Sequence, residues 1–424
     1  PAAAEATQAP ALVPPAPDAA PGSLLSEAEI RDWLRRGNEG HQRVPASKDG
    51  RTWVISPKGA PGAKGTREQP LATIAEALEH AQPGDRVFLT AGTYSEPVRF
   101  PRSGKPGQPI LLEGERGPNG EWLSILDLGK PLTNQWEPAP EIGPGVFKCP
   151  VNGQPPFCLT SRGKQILRIN ERLMELPWER ESALRNEPLI AYGHSFFRGL
   201  NGEPKISGFR FLVMPEDGKI VTKHGPISFW DGIEAVYGVH NNTIYLRFRD
   251  GRDPAKEVIR AAPEGNAITI DGKSHLVVRD LSIRGAAFAI MITGKEATHN
   301  VIEENFLQHG RDRITLPRQT AHNLIRANEI TLSFYGSDDF GLTLDGETGD
   351  RSEGERKGGF AGRQSEIRTG LYRAFKHIQG TDASADIGIR VQTAGPGNRI
   401  VGNHIYNGLK GIHCMGSADL EVSG

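Results

Sequence analysis

In the second half of the chain, apolar residues recur at Ile290, Ile314, Leu342, Ile389 and Ile412, at intervals of 24, 28, 47 and 23 residues. Two positions further on, Ile292, Leu316, Leu344, Val391 and Cys414 recur at the same intervals. Side chains alternate along a strand, so two apolar columns offset by two residues mark the inward positions of strands stacked one per turn. Such a repeat buries its apolar face only against its own copies, which makes the chain a solenoid. The 47-residue interval reads as one turn carrying a long loop. A further column, Asp280, Asn305, Asn328 and Asn403, follows the short apolar strands and falls at a corner of the coil. Asn tolerates the left-handed backbone of a sharp corner, and stacked amides hydrogen-bond from turn to turn. These four residues read as structural.

Upstream, Leu71, Ile74, Ala75 and Leu78 have i, i+3, i+4, i+7 spacing and Pro83-Gly84 follows, which predicts an apolar-faced helix over 71–81. Short strands follow around VFL and PVRF. The stretch GTREQPLATIAEALEHAQPGDRVFLTAGTY resembles the opening of pectate-lyase-like right-handed parallel β-helix proteins. There it forms an N-terminal cap helix and the first turns. Together with the repeats, the resemblance covers about 60% of the chain. It implies an all-β, right-handed parallel β-helix, a secreted carbohydrate-active protein, and a substrate groove along one sheet walled by loops. It stops short of the catalytic motifs. GSDDFG shares only a double Asp with polygalacturonases, the DPHD of alginate epimerases is absent, and no Asp cluster of the calcium-dependent pectate lyases stands out.

The organisation that follows has five parts. Residues 1–22 are almost entirely Ala, Pro and small polar residues, which cannot bury enough surface to order themselves and read as a linker. Residues 23–50 form an N-terminal helical segment, 51–131 the cap helix and first coils, 132–262 an inserted β-rich region, and 263–424 the main stack. The coil rhythm is lost across the insertion, where turn signals separate runs such as ISFW and TIYLRF. WDGI followed by TIYLRFRDGRDP resembles such a region in related β-helices. At the C-terminus, DLEVSG begins another coil that nothing in the chain covers, so a further segment or chain is expected to complete it.

With 50 basic and 51 acidic residues the chain lacks the basic footprint of a nucleic-acid binder. No run reaches the 18 apolar residues or so of a membrane span. The Ala/Pro linker suits a tether that follows a removed signal or anchor, so a secreted or cell-surface location is expected. Cys149 and Cys158 flank PVNGQPPF, which leaves open a small disulfide loop or two thiols. Cys414, in an inward column, reads as buried. Asn241-Asn242-Thr243 is a glycosylation-type triplet of a kind that also arises by chance.

Residues between the inward columns must face outward. One such column reads Met291, Thr315, Thr343, Arg390, His413, and the next reads Thr293, Pro317, Asp345, Gln392, Met415. Strands stack at about 4.8 Å, so Arg390 and His413 should lie side by side, with Asp345 in reach. Arg311, Arg313, Asp338-Asp339 and Asp386 precede their strands, and the charged loop at 346–364 adjoins the patch. Two chemistries fit these residues. In β-elimination from a uronic acid, Arg390 clamps the carboxylate while His413 or Lys376 removes the adjacent proton. In hydrolysis, two of Asp345, Asp386 and Asp339 serve as acid and base or nucleophile. The lyase reading leads. A surface adhesin or glycan-binding β-helix would show the same cap, coils and linker. No cofactor is required; Asp338-Asp339 is the one candidate for calcium, which wants six to eight oxygens, and a solvated turn is the better account of the pair.

Overall fold

The computed structural model describes residues 42–132, 136–169 apart from 152, 154, 155 and 163, residues 219–222, 225–228 and 230, and residues 235–331, 387–406 and 410–423. The 1–22 linker, the segment from 23 to 41 and the 346–364 loop lie outside these. Among the described residues the regular structure is almost all strand, with one short α-helix.

Three parallel sheets, here A, B and C, carry the fold. Each turn gives one strand to each sheet in that order. The third turn runs through Leu276–Arg279 in A, Ser282–Arg284 in B and Phe288–Thr293 in C; Val301–Glu303, Phe306–Leu307 and Asp312–Leu316 follow as the fourth. The predicted columns meet across sheet C, where Ile268 pairs with Ile290, Ile290 with Ile314, Ile314 with Ile389 and Ile389 with Ile412. All but Ile412 are fully buried in one cluster that fills the coil. Ile314 is the direct neighbour of Ile389, so no rung intervenes between them, and Leu342 and Leu344 lie outside the described residues. The chain between 332 and 386 is therefore one excursion between adjacent rungs. A Leu-x-Leu pair is too common a pattern to establish a rung alone.

The corner column holds at three of its four members, and only Asp280 is off by one residue. Asn305, Asn328 and Asn403 form a buried amide ladder in which Asn305 Nδ2 donates to Asn328 Oδ1 at 3.1 Å and Asn328 Nδ2 to Asn403 Oδ1 at 2.9 Å. Below them the rung is filled by Leu281, whose N–H donates to Asn305 Oδ1, and not by Asp280. The left-handed residues are those just before the ladder: Asp280, Glu304, Ala327 and Gly402. A second ladder, Asn300, Asn323 and Asn398, runs along the opposite edge of sheet A. Its preceding residues, His275, His299 and His322, are also left-handed and stack their rings at 5.0 and 5.3 Å.

The helix spans Ile74–His80, shorter than predicted, because Thr73 serves as N-cap and accepts the Glu76 N–H. Glu96 takes the next two open N–H groups, of Ile74 and Ala75. Ile74, Ala77 and Leu78 join the coil's apolar cluster; Ala75 is exposed, and Leu71 is buried ahead of the helix.

The insertion interrupts the second turn between its B strand, Ser124–Asp127, and its C strand, Asn266–Asp271. Lys130–Pro131 pairs antiparallel with Ile259–Ala262, so the chain leaves and returns side by side. Between them, strands Val146–Pro150, Ala235–His240 and Thr243–Phe248 enclose a separate core that includes Tyr237, Leu246 and Phe248. Asn241 and Asn242 are both left-handed and form the two-residue turn of a hairpin, the conformation that favours Asn there. Cys149 and Cys158 are buried thiols with no bond between them. Cys414 is exposed instead of buried, in the last described rung of sheet C.

On its outer face, sheet A carries an alternating ladder of buried charge: Glu113, Arg279, Glu303 and Arg326, joined by ion pairs of 2.7, 3.2 and 2.6 Å. Residues 42–44 cross this face. Arg326 donates to the Gln42 carbonyl and Arg279 to that of Val44, while Arg43 pairs with Asp280 and Glu304.

Candidate functional site

Sheet C presents an outward column of Arg99, Thr269, Met291, Thr315, Arg390 and His413, each paired with the next. Arg390 and His413 thus occupy adjacent rungs of one sheet. Arg390 is largely covered, and its guanidinium grips Asp312, with Nε to Oδ2 at 2.7 Å and Nη2 to Oδ1 at 3.1 Å. A two-pronged guanidinium–carboxylate contact is among the strongest charged hydrogen-bond arrangements, and Asp312 is itself 2% exposed. Asp312 is therefore an acidic partner of Arg390 that the sequence reading passed over, while Asp345 lies outside the described residues.

Asp312 escapes a two-residue periodicity because the sheet bends just after it. Ala267 and Ile268 both enter the core, as do Ala289 and Ile290. On the next rung the equivalent pair is Arg313 and Ile314, then Gly388 and Ile389. A Cβ on Gly388 would lie 2.8 Å from Ile405, so this step points into the coil. The outward placement expected for Arg313 is accordingly corrected: it is 1% exposed, with Nε donating to the Thr331 carbonyl and Nη1 to that of Arg311.

Lys376, Asp345, Asp386 and Asp339 all fall outside the described residues, as does the Asp338-Asp339 calcium candidate. The excursion that contains them leaves sheet B after Thr331 and rejoins sheet C at Ile387, the strand that carries Arg390. Among the described residues, no group of three His, Cys, Asp or Glu side chains is arranged to hold a metal ion. Next to this face, Arg311 lies between Phe157 of the insertion and Phe288 of sheet C, at 5.4 and 5.5 Å from their ring centres. The insertion thus stands against the edge of the candidate face.

Three parallel sheets fed in turn by one coiling chain, with amide ladders at the corners, define the class of fold: the described residues form a parallel β-helix. A family model described as a protein of unknown function (DUF1565) matches residues 58–114. The uncharacterized protein YwoF of Bacillus subtilis (strain 168) is 37% identical over 82 residues, which is 18% of this chain and 18% of that protein. Among solved structures, XylC in complex with xylose aligns with a TM-score of 0.46 at 14% identity, covering 88% of this chain and 65% of that one. A glycoside hydrolase gives 0.42 at 13% identity, covering 83% and 74%. Pectate lyase Pel9A gives 0.28 at 10%, covering 67% and 48%. The chain spans less than two thirds of XylC and about a fifth of the Bacillus protein. No described helix is long and apolar enough to cross a membrane.

Proposed function

We propose that the protein is a secreted or cell-surface carbohydrate-active enzyme that degrades an acidic polysaccharide along the outer face of sheet C. The observation that carries this reading is the pairing of Arg390 with His413 on adjacent outward rungs, beside the strand where the 332–386 excursion rejoins the coil. A parallel β-helix offers a long face at fixed rung spacing, a shape suited to an extended polymer.

In the β-elimination reading, His413 takes the proton next to the uronate carboxylate while Arg390 stands on the adjacent rung. Arg390 works as one unit with Asp312, which holds its guanidinium flat and fixed. That same commitment favours a second reading. A guanidinium already gripped by a buried carboxylate has less to offer a uronate, and glycoside hydrolysis by an Asp pair drawn from Asp339, Asp345 and Asp386 needs no such clamp. The test is a screen on uronate-containing and neutral polysaccharides that reads ultraviolet absorbance from unsaturated ends alongside reducing sugar. Unsaturated product that disappears in His413→Ala supports elimination. Reducing sugar without unsaturation replaces it by hydrolysis, and binding without either product reduces the protein to a glycan-binding module.

A further inference from the structure

Where the insertion leaves the coil, two arginines converge on one aspartate. Asp127 ends the B strand Ser124–Asp127, and its neighbour on the next rung is Arg284. Arg284 Nε donates to Asp127 Oδ2 at 3.0 Å. Arg260, from the strand that returns from the insertion, places its own Nε 3.1 Å from the same oxygen. The other carboxylate oxygen accepts the Gly129 N–H at 2.9 Å, and Arg260 Nη2 donates to the Gly129 carbonyl. Asp127 is buried, while the side chains of Arg260 and Arg284 as a whole keep 23% and 26% of their exposure.

The backbone is shaped to this arrangement. Gly285 has a left-handed φ of +68°, and a Cβ there would come within 2.5 Å of Asp127 Oδ1. Only glycine combines that turn with so close an approach. Two guanidiniums on one carboxylate leave one positive charge unmatched, and the terminal nitrogens of Arg284 have no protein partner among the described residues. One turn further along the same corner lies Arg311, whose ion-pair partner is the exposed Glu264 at 3.2 Å. A surface pair of that kind is weak and readily exchanged. The corner is thus a rigid, partly open stretch of positive charge in a chain whose overall charge is nearly balanced.

A guanidinium fork matches a planar carboxylate with two parallel hydrogen bonds. We propose that Arg260 and Arg284 form an anion-binding subsite at the seam between coil and insertion, which takes the carboxylate of a uronate residue in the polysaccharide. This rests on the reading that the substrate is an acidic glycan, and it places the recognition of charge on the B–C corner, away from Arg390. Asp127 holds the two forks in place without cancelling both.

The experiment measures, by calorimetry on the full chain, the affinity for trimers of galacturonate, glucuronate and mannuronate, each beside its methyl ester, which removes only the charge. The wild-type protein should prefer at least one acid over its ester by on the order of tenfold. Arg260→Gln and Arg284→Gln should each abolish that preference and leave ester binding unchanged. Either variant retains one arginine to neutralise Asp127, so its melting temperature should stay near wild type. Should one fail to fold, Arg284→Lys keeps the charge without the fork and should still reduce the preference. A preference that survives in every folded variant, or that is absent from the wild type, overturns the subsite. Polysaccharide cleavage without a charge preference would overturn the subsite alone, and a preference without cleavage would overturn the enzymatic reading alone.

Discussion

Replacement of Asn328 by Ala tests whether the amide ladder holds the coil together. Asn328 is 1% exposed and makes four side-chain hydrogen bonds. Its Nδ2 donates to the Ile302 carbonyl and to Asn403 Oδ1, both at 2.9 Å, and its Oδ1 accepts from both N and Nδ2 of Asn305 at 3.1 Å. Alanine removes all four and leaves the Asn305 N–H and the Ile302 carbonyl to find new partners in a buried corner. A buried polar group left unpaired costs about 1–3 kcal/mol. Two such groups, with the side-chain cavity added, give a loss of about 3–5 kcal/mol, trimmed toward the lower end if water fills the space. Urea unfolding followed by circular dichroism measures it, and an unchanged slope confirms that the loss is one of stability. Asn328→Asp keeps the acceptor for Asn305 but sets a buried carboxylate oxygen against the Ile302 carbonyl and Asn403 Oδ1, so its loss should be at least as large. A change below about 1 kcal/mol in Asn328→Ala, the size of a surface substitution, would refute the structural role of the ladder.

Leu78→Asp should destabilise the protein by several kcal/mol, because an unpaired charge replaces a side chain buried in the coil's cluster; a loss below about 1 kcal/mol in the same assay would make the helix peripheral. Arg43→Ala should cost about 1–2 kcal/mol near neutral pH, given that Arg43 is only partly covered. Burial pushes the carboxyls of Asp280 and Glu304 above their usual range, against the opposing pull of Arg43. With folded-state values raised, both acids are charged at a cost near neutrality, and that cost is relieved as pH falls through those raised values. The Arg43→Ala penalty should therefore shrink on acidification, and a penalty that grows toward low pH in chemical denaturation would show the sign to be wrong. In the wild type, His275 titrates below its ordinary range, first because of burial and then because of the neighbouring His299. Protonating His275 must cost stability as pH drops through and below the normal histidine range, so His275→Asn, which keeps a residue tolerant of the left-handed corner, should flatten that part of the stability–pH curve.

The sequence carried the coil because burial is periodic: Ile290, Ile314, Ile389 and Ile412 fall on one ladder, as their spacing required. No rung intervenes between Ile314 and Ile389 to take Leu342, and the Asn column held the warning, since Asn328 and Asn403 neighbour each other with no corner residue for an intervening turn. Asp280 entered that column because its left-handed backbone is shared with Glu304 and Ala327, one step before the amides. The second ladder of Asn300, Asn323 and Asn398 was equally readable from its spacing. At the candidate face, alternation brought out Arg390 and His413 but hid Asp312. A bend that turns two consecutive residues inward reverses every outward assignment ahead of it, which also accounts for Arg313. Arg260 and Arg284 lay beyond any periodic argument, because Asp127 is brought to both only by the return of the chain from the insertion.

The position of that insertion bears on how the molecule folds. Val98–Arg99 finds its sheet partner in Asn266–Asp271, about 170 residues later, whereas the later turns pair strands only some two dozen residues apart. Loop closure penalises long separations only logarithmically, yet every such contact waits for the intervening chain. The turns from Leu276 to Thr331 are therefore the natural nucleus, local in sequence and rich in amide ladders. The N-terminal turns add to this nucleus once the inserted unit has brought Ile259–Ala262 back beside Lys130–Pro131. A lesion in that returning hairpin should slow folding through the first two turns while leaving the unfolding of the later ones nearly untouched.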